Sequence, residues 1–365
     1  MDCRRSAIVA AIGALLCSGT PGGAGVSDRT ITVMSYNAEN LFDTQDNPAN
    51  KGDNTFLPLS QKGTPAHKAI CDELETASQK RECLELDWSD EVLAAKLRNL
   101  ATVIDNFDGG RGPDILMLQE TENLNVLRML KAALKNSAAY ITVVNEESSP
   151  GRGINVALLS KLPTAGPVKT HKIEFTGADA TACGTTRDLL EVPLRLPDGS
   201  SVSMLGLHFP SGSNPVQCRE FAAERLNDVA RGRPKGTMLI ALGDTNINCT
   251  PEDQQVIADV LKQQWIVPDE LNNKGCRPPG TEFFPSRGQW SFLDLIMASR
   301  SLSSSSQEGA SWFTDFGSFR TVISAPEVQV ETDDKGRVKP LRFDPQTRTG
   351  SADHWPVAID LIRRR

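Results

Sequence analysis

The chain has 365 residues and a formal net charge of −7. That length allows a sizeable buried core in one large or two ordinary domains. The acidic balance excludes nucleic-acid binding through bulk charge, although it leaves room for a local basic cleft.

The N-terminus reads as a leader. Arg4 and Arg5 precede an apolar stretch from Ala7 to Leu16, and small residues follow from Ser18 to Gly25. A basic start, a short apolar run and a small-residue zone are the parts of a signal peptide, assigned here to residues 1–24. The apolar stretch is too short to span a bilayer. The expectation is therefore an exported protein, periplasmic or secreted, with no stable membrane insertion. Removing the leader makes the remainder one charge more acidic and leaves six of the eight cysteines. An even number in an exported chain points to disulfides, and six cysteines allow 15 pairings. Neighbours in sequence suggest Cys71–Cys83, Cys183–Cys218 and Cys249–Cys276. None forms a Cys-x-x-Cys pair, which argues against zinc or thioredoxin-like chemistry.

Beyond the leader, strand-like runs alternate with helical patterns. Ile31–Tyr36 alternates and is β-rich, and residues 114–119 form a short run of the buried type. Similar runs cover residues 155–159, 202–208, 238–242, 292–298 and 357–362. A helix is expected over residues 90–107, with Leu93, Leu97, Leu100 and Ile104 on one face and Ser89 as its N-cap. Two more helices are expected over residues 122–134 and 217–231. Residues 43–88 are polar and rich in Gly, Pro, Asn and Lys, and read as an insertion loop held by Cys71 and Cys83. Residues 299–306 and 333–350 read as further polar loops. No linker divides the chain, so residues 25–365 are expected to form a single α/β domain.

Polar residues stand where the apolar runs stop. Asn37 and Glu39 follow the first run, Glu120 ends the second, His208 ends the 202–208 run, and Asp244 and Asn246 follow the 238–242 run. In an open α/β sheet such strand ends meet in one crevice. Asp353 and His354 instead precede the last run. To reach the same crevice that strand must run the other way, which implies mixed sheets.

These residue types suit phosphate-ester hydrolysis. A hard cation such as Mg²⁺ needs carboxylate and amide oxygens, which Asn37, Glu39 and Glu120 can supply. Asp244 and Asn246 can handle an attacking water. His354 and Asn246 can donate to the phosphate, and His208 can protonate a leaving oxygen. Asp294 lies in a strand pattern, where a carboxylate is expensive unless paired, and orienting His354 would account for it.

The ordered segments Ser-Tyr-Asn-Ala-Glu-Asn-Leu-Phe-Asp (35–43), Pro-Asp-Ile-Leu-Met-Leu-Gln-Glu (113–120), Gly-Arg-Gly-Ile-Asn-Val-Ala-Leu-Leu (151–159) and Thr-Arg-Asp-Leu-Leu-Glu-Val (186–192) carry a family resemblance. So do Leu-His-Phe-Pro-Ser (207–211), Gly-Asp-Thr-Asn (243–246), Phe-Leu-Asp-Leu-Ile (292–296) and Ser-Ala-Asp-His-Trp-Pro (351–356). Together, over roughly residues 30–362, the chain resembles the endonuclease/exonuclease/phosphatase superfamily, in its deoxyribonuclease-I-like form. The resemblance implies a four-layer α/β sandwich of two mixed β-sheets flanked by helices, and a divalent ion: Mg²⁺, with Mn²⁺ or Ca²⁺ as alternatives. It places Asn37, Glu39, Glu120 and Asp353 at the metal, and His208, Asp244, Asn246, Asp294 and His354 in catalysis. Arg152 and Arg187 would bind substrate. His208 is similar to the second histidine of the pancreatic-type deoxyribonuclease branch. Cys249 also resembles that secreted branch, and favours the pairing with Cys276. Two departures stand out: Ala352 is inserted between Ser351 and Asp353, and Glu39 stands where several relatives carry Asp.

The reading that follows is an exported, metal-dependent phosphodiesterase, an endonuclease on DNA or RNA, acting as a monomer. Either Asp244 or His354 would assist the water. One alternative is a phosphatase or a sphingomyelin-type lipid phosphodiesterase on the same fold. Another is a catalytically silent binding module.

Overall fold

The computed structural model describes residues 27, 29–48, 50–148, 153–268, 279–306 and 310–364. The expected leader, Arg152 and Cys276 lie outside them. The strands are β1 (Thr30–Leu41), β2 (Ile115–Thr121), β3 (Thr142–Asn145), β4 (Asn155–Ser160), β5 (Lys169–His171), β6 (Leu189–Arg195), β7 (Ser201–His208) and β8 (Leu239–Asp244). They continue with β9 (Trp265–Ile266), β10 (Glu282–Phe284), β11 (Gln289–Ser291), β12 (Asp294–Ser299), β13 (Trp312–Thr321), β14 (Val330–Thr332), β15 (Val338–Pro340) and β16 (Val357–Arg363). The helices are α1 (Pro65–Asp72), α2 (Ala77–Glu85), α3 (Asp90–Asn106), α4 (Leu124–Ala133), α5 (Ala178–Cys183), α6 (Val216–Arg231), α7 (Pro251–Gln255) and α8 (Pro326–Gln329).

Two six-stranded sheets carry the architecture, ordered β13-β16-β1-β2-β4-β3 and β5-β6-β7-β8-β12-β9. β1 runs parallel to β2 and β7 parallel to β8, while β16 is antiparallel to β1 and β12 to β8. Both sheets are therefore mixed, and the last strand runs oppositely, as Asp353-His354 required.

Alternation along each central strand explains the layers, because successive side chains leave opposite faces. Ile31 and Val33 of β1 and Ile115 and Met117 of β2 meet Met204, Ile240, Leu242 and Ile296 between the sheets. The intervening Met34, Tyr36, Leu116 and Leu118 pack outward on Leu93, Leu97 and Leu100 of α3 and Leu127 of α4. On the other side Leu239, Ala241, Leu295 and Met297 pack on Ala222, Ala223 and Leu226 of α6. Strands buried on both faces read as near-continuous apolar runs, which is why they stand out in the sequence. Gly206 sits where the two sheets approach closely: a Cβ there would lie 2.5 Å from the Met117 sulfur and 2.6 Å from Val156 Cγ1.

Two disulfides are as expected, Cys71–Cys83 and Cys183–Cys218. Cys249 is disulfide-bonded as well. The segment 43–88 departs from expectation. It is not a loop but carries α1 and α2, tied together by Cys71–Cys83. Thr64 caps α1 ahead of Pro65, and Thr76 with Gln79 forms a capping box on α2. Those capping signals are present in the sequence, but the polar composition hides them. The segment 333–350 likewise holds β15, paired with β14. Among the described residues no helix is long and apolar enough to cross a membrane.

Candidate active site

Strand ends from both sheets meet in a cavity of about 330 Å³, lined by Glu120, Arg187, His208, Asp244, Asn246, Asp353 and His354 from the expected set. Its position follows from backbone irregularities at the ends of β1 and β2. The β1–β2 register shifts between Asn37 and Leu41, and the β2–β4 register between Leu118 and Thr121. Glu39, Asn40 and Glu120 all adopt positive φ, at 52°, 52° and 61°. Such conformations cost non-glycine residues about 1 kcal/mol or more and persist only where the surroundings enforce them. Here the Asn40 N–H donates to Glu120 Oε2 at 2.9 Å, which ties the two bulges together.

Asp244 ends β8 behind Gly243. A Cβ on Gly243 would lie 1.9 Å from the Leu207 carbonyl oxygen, so only glycine lets β8 pass β7 there. The Asp244 carboxylate is held at both oxygens: the Asn246 N–H donates to Oδ1 at 2.8 Å and Asn37 Nδ2 to Oδ2 at 3.2 Å. His208, directly opposite Asp244 in the parallel register, brings Nε2 to 3.5 Å from Asp244 Oδ2 and 3.9 Å from Glu120 Oε1. Burial pushes the Asp244 carboxyl up to about 7, with Asp294 and Glu120 adding to the rise and His354 opposing it. Asn246, at φ 51°, spends its amide on the Phe209 carbonyl.

A second imidazole–carboxylate pair stands in the same cavity. His354 Nδ1 lies 2.8 Å from Oδ2 of Asp294, which is fully buried. Burial alone would lower the His354 value. Asp294, Asp244 and Glu282 outweigh it and hold the imidazole protonated well above its usual range. With Nδ1 spent on Asp294, the Nε2–H is left to act as a donor.

Two expected residues behave differently from the rest. Asn37 is near the cavity but commits its amide to Asp244 and its carbonyl oxygen to the Glu39 N–H, so it orients the aspartate. Glu39, expected at the metal, does not line this cavity. Its positive φ turns the carboxylate toward Arg342, the Phe343 N–H at 3.1 Å and Lys96 at 3.8 Å. Burial raises Glu39 to about 7, helped by Asp353 and opposed by Lys96 and Arg342. Arg342 in turn reaches Asp353 Oδ2 at 3.5 Å, so Glu39 acts on the cavity through that arginine. Arg152 lies outside the described residues.

Glu282 was missed. It sits on β10 in a bridge with His354, and lines the cavity beside Ser211, Asn248 and Arg287. Burial raises it to about 8, with Asp353, Asp244 and Asp294 adding and His354 opposing. Glu282, Asp353 and His354 each offer an atom within 4.8 Å of the others. That span fits ligands sharing one divalent ion at about 2.4 Å each. A protonated His354 has no lone pair to give, which leaves the carboxylates as hard oxygen donors, the set a magnesium- or calcium-class ion prefers.

A sequence model of the Endonuclease/Exonuclease/phosphatase family matches residues 91–315. Asn37 and His354 fall outside that match, and the fold returns both to the site. The fold is similar to a humanized TDP2 of D. rerio (TM-score 0.54, 15% identity, 92% of this chain and 99% of that one). It is similar also to D. rerio TDP2 complexed with single strand DNA product (TM-score 0.53, 16% identity, covering 91% and 98%). A mannosyl-6-phosphatase of Bacteroides thetaiotaomicron aligns as well (TM-score 0.51, 15% identity, covering 91% and 99%). No curated protein matches the sequence. With well over half of the chain matched and the fold shared, the chain belongs to the Endonuclease/Exonuclease/phosphatase family and is a metal-dependent phosphoester hydrolase.

Proposed function

We propose that the protein is an exported, single-domain phosphodiesterase that cuts DNA with Mg²⁺. The observation that carries this is the presence of two imidazole–carboxylate pairs in one cavity, His208 with Asp244 and His354 with Asp294. Displacement of an alkoxide from a diester needs a proton acceptor at the water and a donor at the leaving oxygen, and two such pairs provide both. Glu120, Asp353 and Glu282 would hold the ion, which when bound supplies positive charge to the phosphate oxygens.

The chain's own residues divide the remaining work. His354, kept protonated by Asp294, donates to the leaving oxygen. Asp244, fixed by Asn37 and Asn246 and adjoining His208, accepts the proton of the attacking water. This exchanges the leaving-oxygen role expected for His208 from its residue type alone. Arg187 and Arg287 give the cavity its cations for a polyanionic strand. Phe284 is the only large apolar side chain among the described residues lining it, which counts against a lipid substrate.

The test is turnover of single-stranded and plasmid DNA, bis(p-nitrophenyl) phosphate and sugar monophosphates, with Mg²⁺, Mn²⁺ or Ca²⁺. Cleavage of DNA well above the monoesters is expected. Monoester turnover exceeding DNA turnover would replace this reading with a phosphatase. A DNA carrying a bridging sulfur at the leaving position, which needs no proton, should rescue His354→Ala and leave His208→Ala impaired. The opposite pattern would return the leaving-group role to His208.

A further inference from the structure

A second acidic chamber stands just past the end of β2, at the root of the 43–88 segment. Glu122 lies two residues past Glu120 and is 2% exposed, while Asp53, in a short helical turn over Lys51–Phe56, is fully buried. The two carboxyl groups stand beside each other, and the charged groups around them are the acids Asp43 and Asp46. Asp43 is already committed: its carboxylate accepts from Asn123 Nδ2 at 3.1 Å, Asn125 Nδ2 at 2.7 Å and the Gln45 N–H at 2.8 Å. One oxygen each of Asp53 and Glu122 is satisfied by a backbone N–H, from Asn47 and Asp43 respectively. The other oxygens, Asp53 Oδ1 and Glu122 Oε1, are buried with no hydrogen-bond partner.

Buried carboxylates are ordinarily paired with a cation or fully hydrogen-bonded. Apart from their contact with each other and the Asn123 amide beside Glu122, the two carboxyls have neither, and the charged groups around them carry the same sign. The missing component is positive charge with no directional demand, able to take two carboxylate oxygens from an irregular loop and fill its shell with carbonyls or water. Calcium accepts such sites, whereas magnesium insists on near-octahedral geometry.

We propose that Asp53 and Glu122 together hold one calcium-class divalent cation, separate from the catalytic ion, which fastens the 43–88 segment to the end of β2. Asp43 and Asp46 add charge around it without ligating.

The experiment uses the full chain, stripped with a chelator and dialysed, with thermal unfolding followed as CaCl₂ alone is added. Wild type should gain on the order of 5 °C at saturation. Asp53→Asn and Glu122→Gln should each abolish that gain, while Asp353→Asn in the catalytic cavity keeps it. Limited proteolysis of the wild type, with cuts mapped by mass, gives a readout that needs no variant to fold: Ca²⁺ should protect residues 43–88. A melting point and a proteolysis pattern indifferent to Ca²⁺ would overturn the proposal, leaving the two carboxyls to share a proton. So would a gain that survives in Asp53→Asn, or one that vanishes only in Asp353→Asn.

Discussion

The end of β2 feeds two acidic chambers, and they differ in what balances the acid. Glu120 opens on a cavity that also holds His208, a protonated His354 and Arg187, with Arg342 bridging to Asp353. Glu122, two residues on, meets Asp53 among further carboxylates, with both free oxygens sealed from solvent. The first chamber mixes proton donors and acceptors around open space, which is what turnover needs. The second offers buried acceptors among neighbours of the same sign, which is what an anchoring ion needs. Side chains of the same type thus take different work from the sign of their neighbours.

The sharpest break between the two should come from substitution in the catalytic cavity. Asp244→Asn and His354→Gln are each expected to lower kcat by about 10²–10⁴. The melting point of Asp244→Asn should stay within a few degrees of wild type, because the exchange keeps the shape and relieves like-charge crowding from Asp294 and Glu120. His354→Gln, by contrast, leaves the buried Asp294 without its charged partner and should lose stability as well. Asp53→Asn should do the reverse, leaving kcat near wild type while removing the response of stability to Ca²⁺. If Asp53→Asn lost turnover as heavily as Asp244→Asn, the chambers would be one functional unit and the contrast would fail.

Much of this site is legible in the amino-acid order for a simple reason. β1, β2, β7 and β8 are buried on both faces, so each appears as an apolar run whose end is marked by Asn37, Glu120, His208 or Asp244. Glu282 escapes that logic because β10 has three residues, too few for a period to show. Its role comes from the bridge to His354, 72 positions away in the chain. Glu39 differs for another reason: a residue beside the right motif has its carboxylate turned toward Arg342 at a positive φ that no composition reveals. The pairing of Asp53 with Glu122 is a product of the tertiary fold, and the capped helices α1 and α2 vanish into a polar background.

Glu282 offers the next largest effect within the catalytic cavity. If it shares the ion with Asp353, Glu282→Gln should raise the Mg²⁺ concentration for half-maximal activity by about 10-fold, with a smaller fall in kcat at saturation. A fall in kcat with unchanged Mg²⁺ dependence would take Glu282 off the ion and make it a partner of His354 alone.

On the junction side, the Cys71–Cys83 disulfide closes a short loop between α1 and α2. Its removal by paired Ser substitution should cost up to about 3 kcal/mol of stability, from the chain entropy released in the unfolded state. The loss should concentrate in the 43–88 segment, read as faster hydrogen exchange there, with turnover preserved. Exchange rising equally in the strands would mean that the segment and the sheets unfold together.

The smallest effect belongs to a third histidine–carboxylate pair, remote from both chambers, on β5 and β6. His171 Nε2 lies 2.7 Å from Glu191 Oε2, and Arg233 bonds the same oxygen. Burial pushes the Glu191 carboxyl up, but His171, Arg233 and Lys169 outweigh it and hold it below its usual value. A carboxyl lowered by folding stabilises the protein above its unfolded value, and that contribution is lost as pH falls through the folded one. Wild type should therefore lose stability on acidification below the ordinary carboxylate range, and Glu191→Gln should flatten this part of the profile. The difference at neutral pH should be on the order of 1 kcal/mol. Because this pair faces no cavity residue, kcat should not change across the substitution. A change in kcat would show that the outer edge of the second sheet communicates with His208 through β6 and β7, and that the catalytic cavity is not insulated from the strands that carry it.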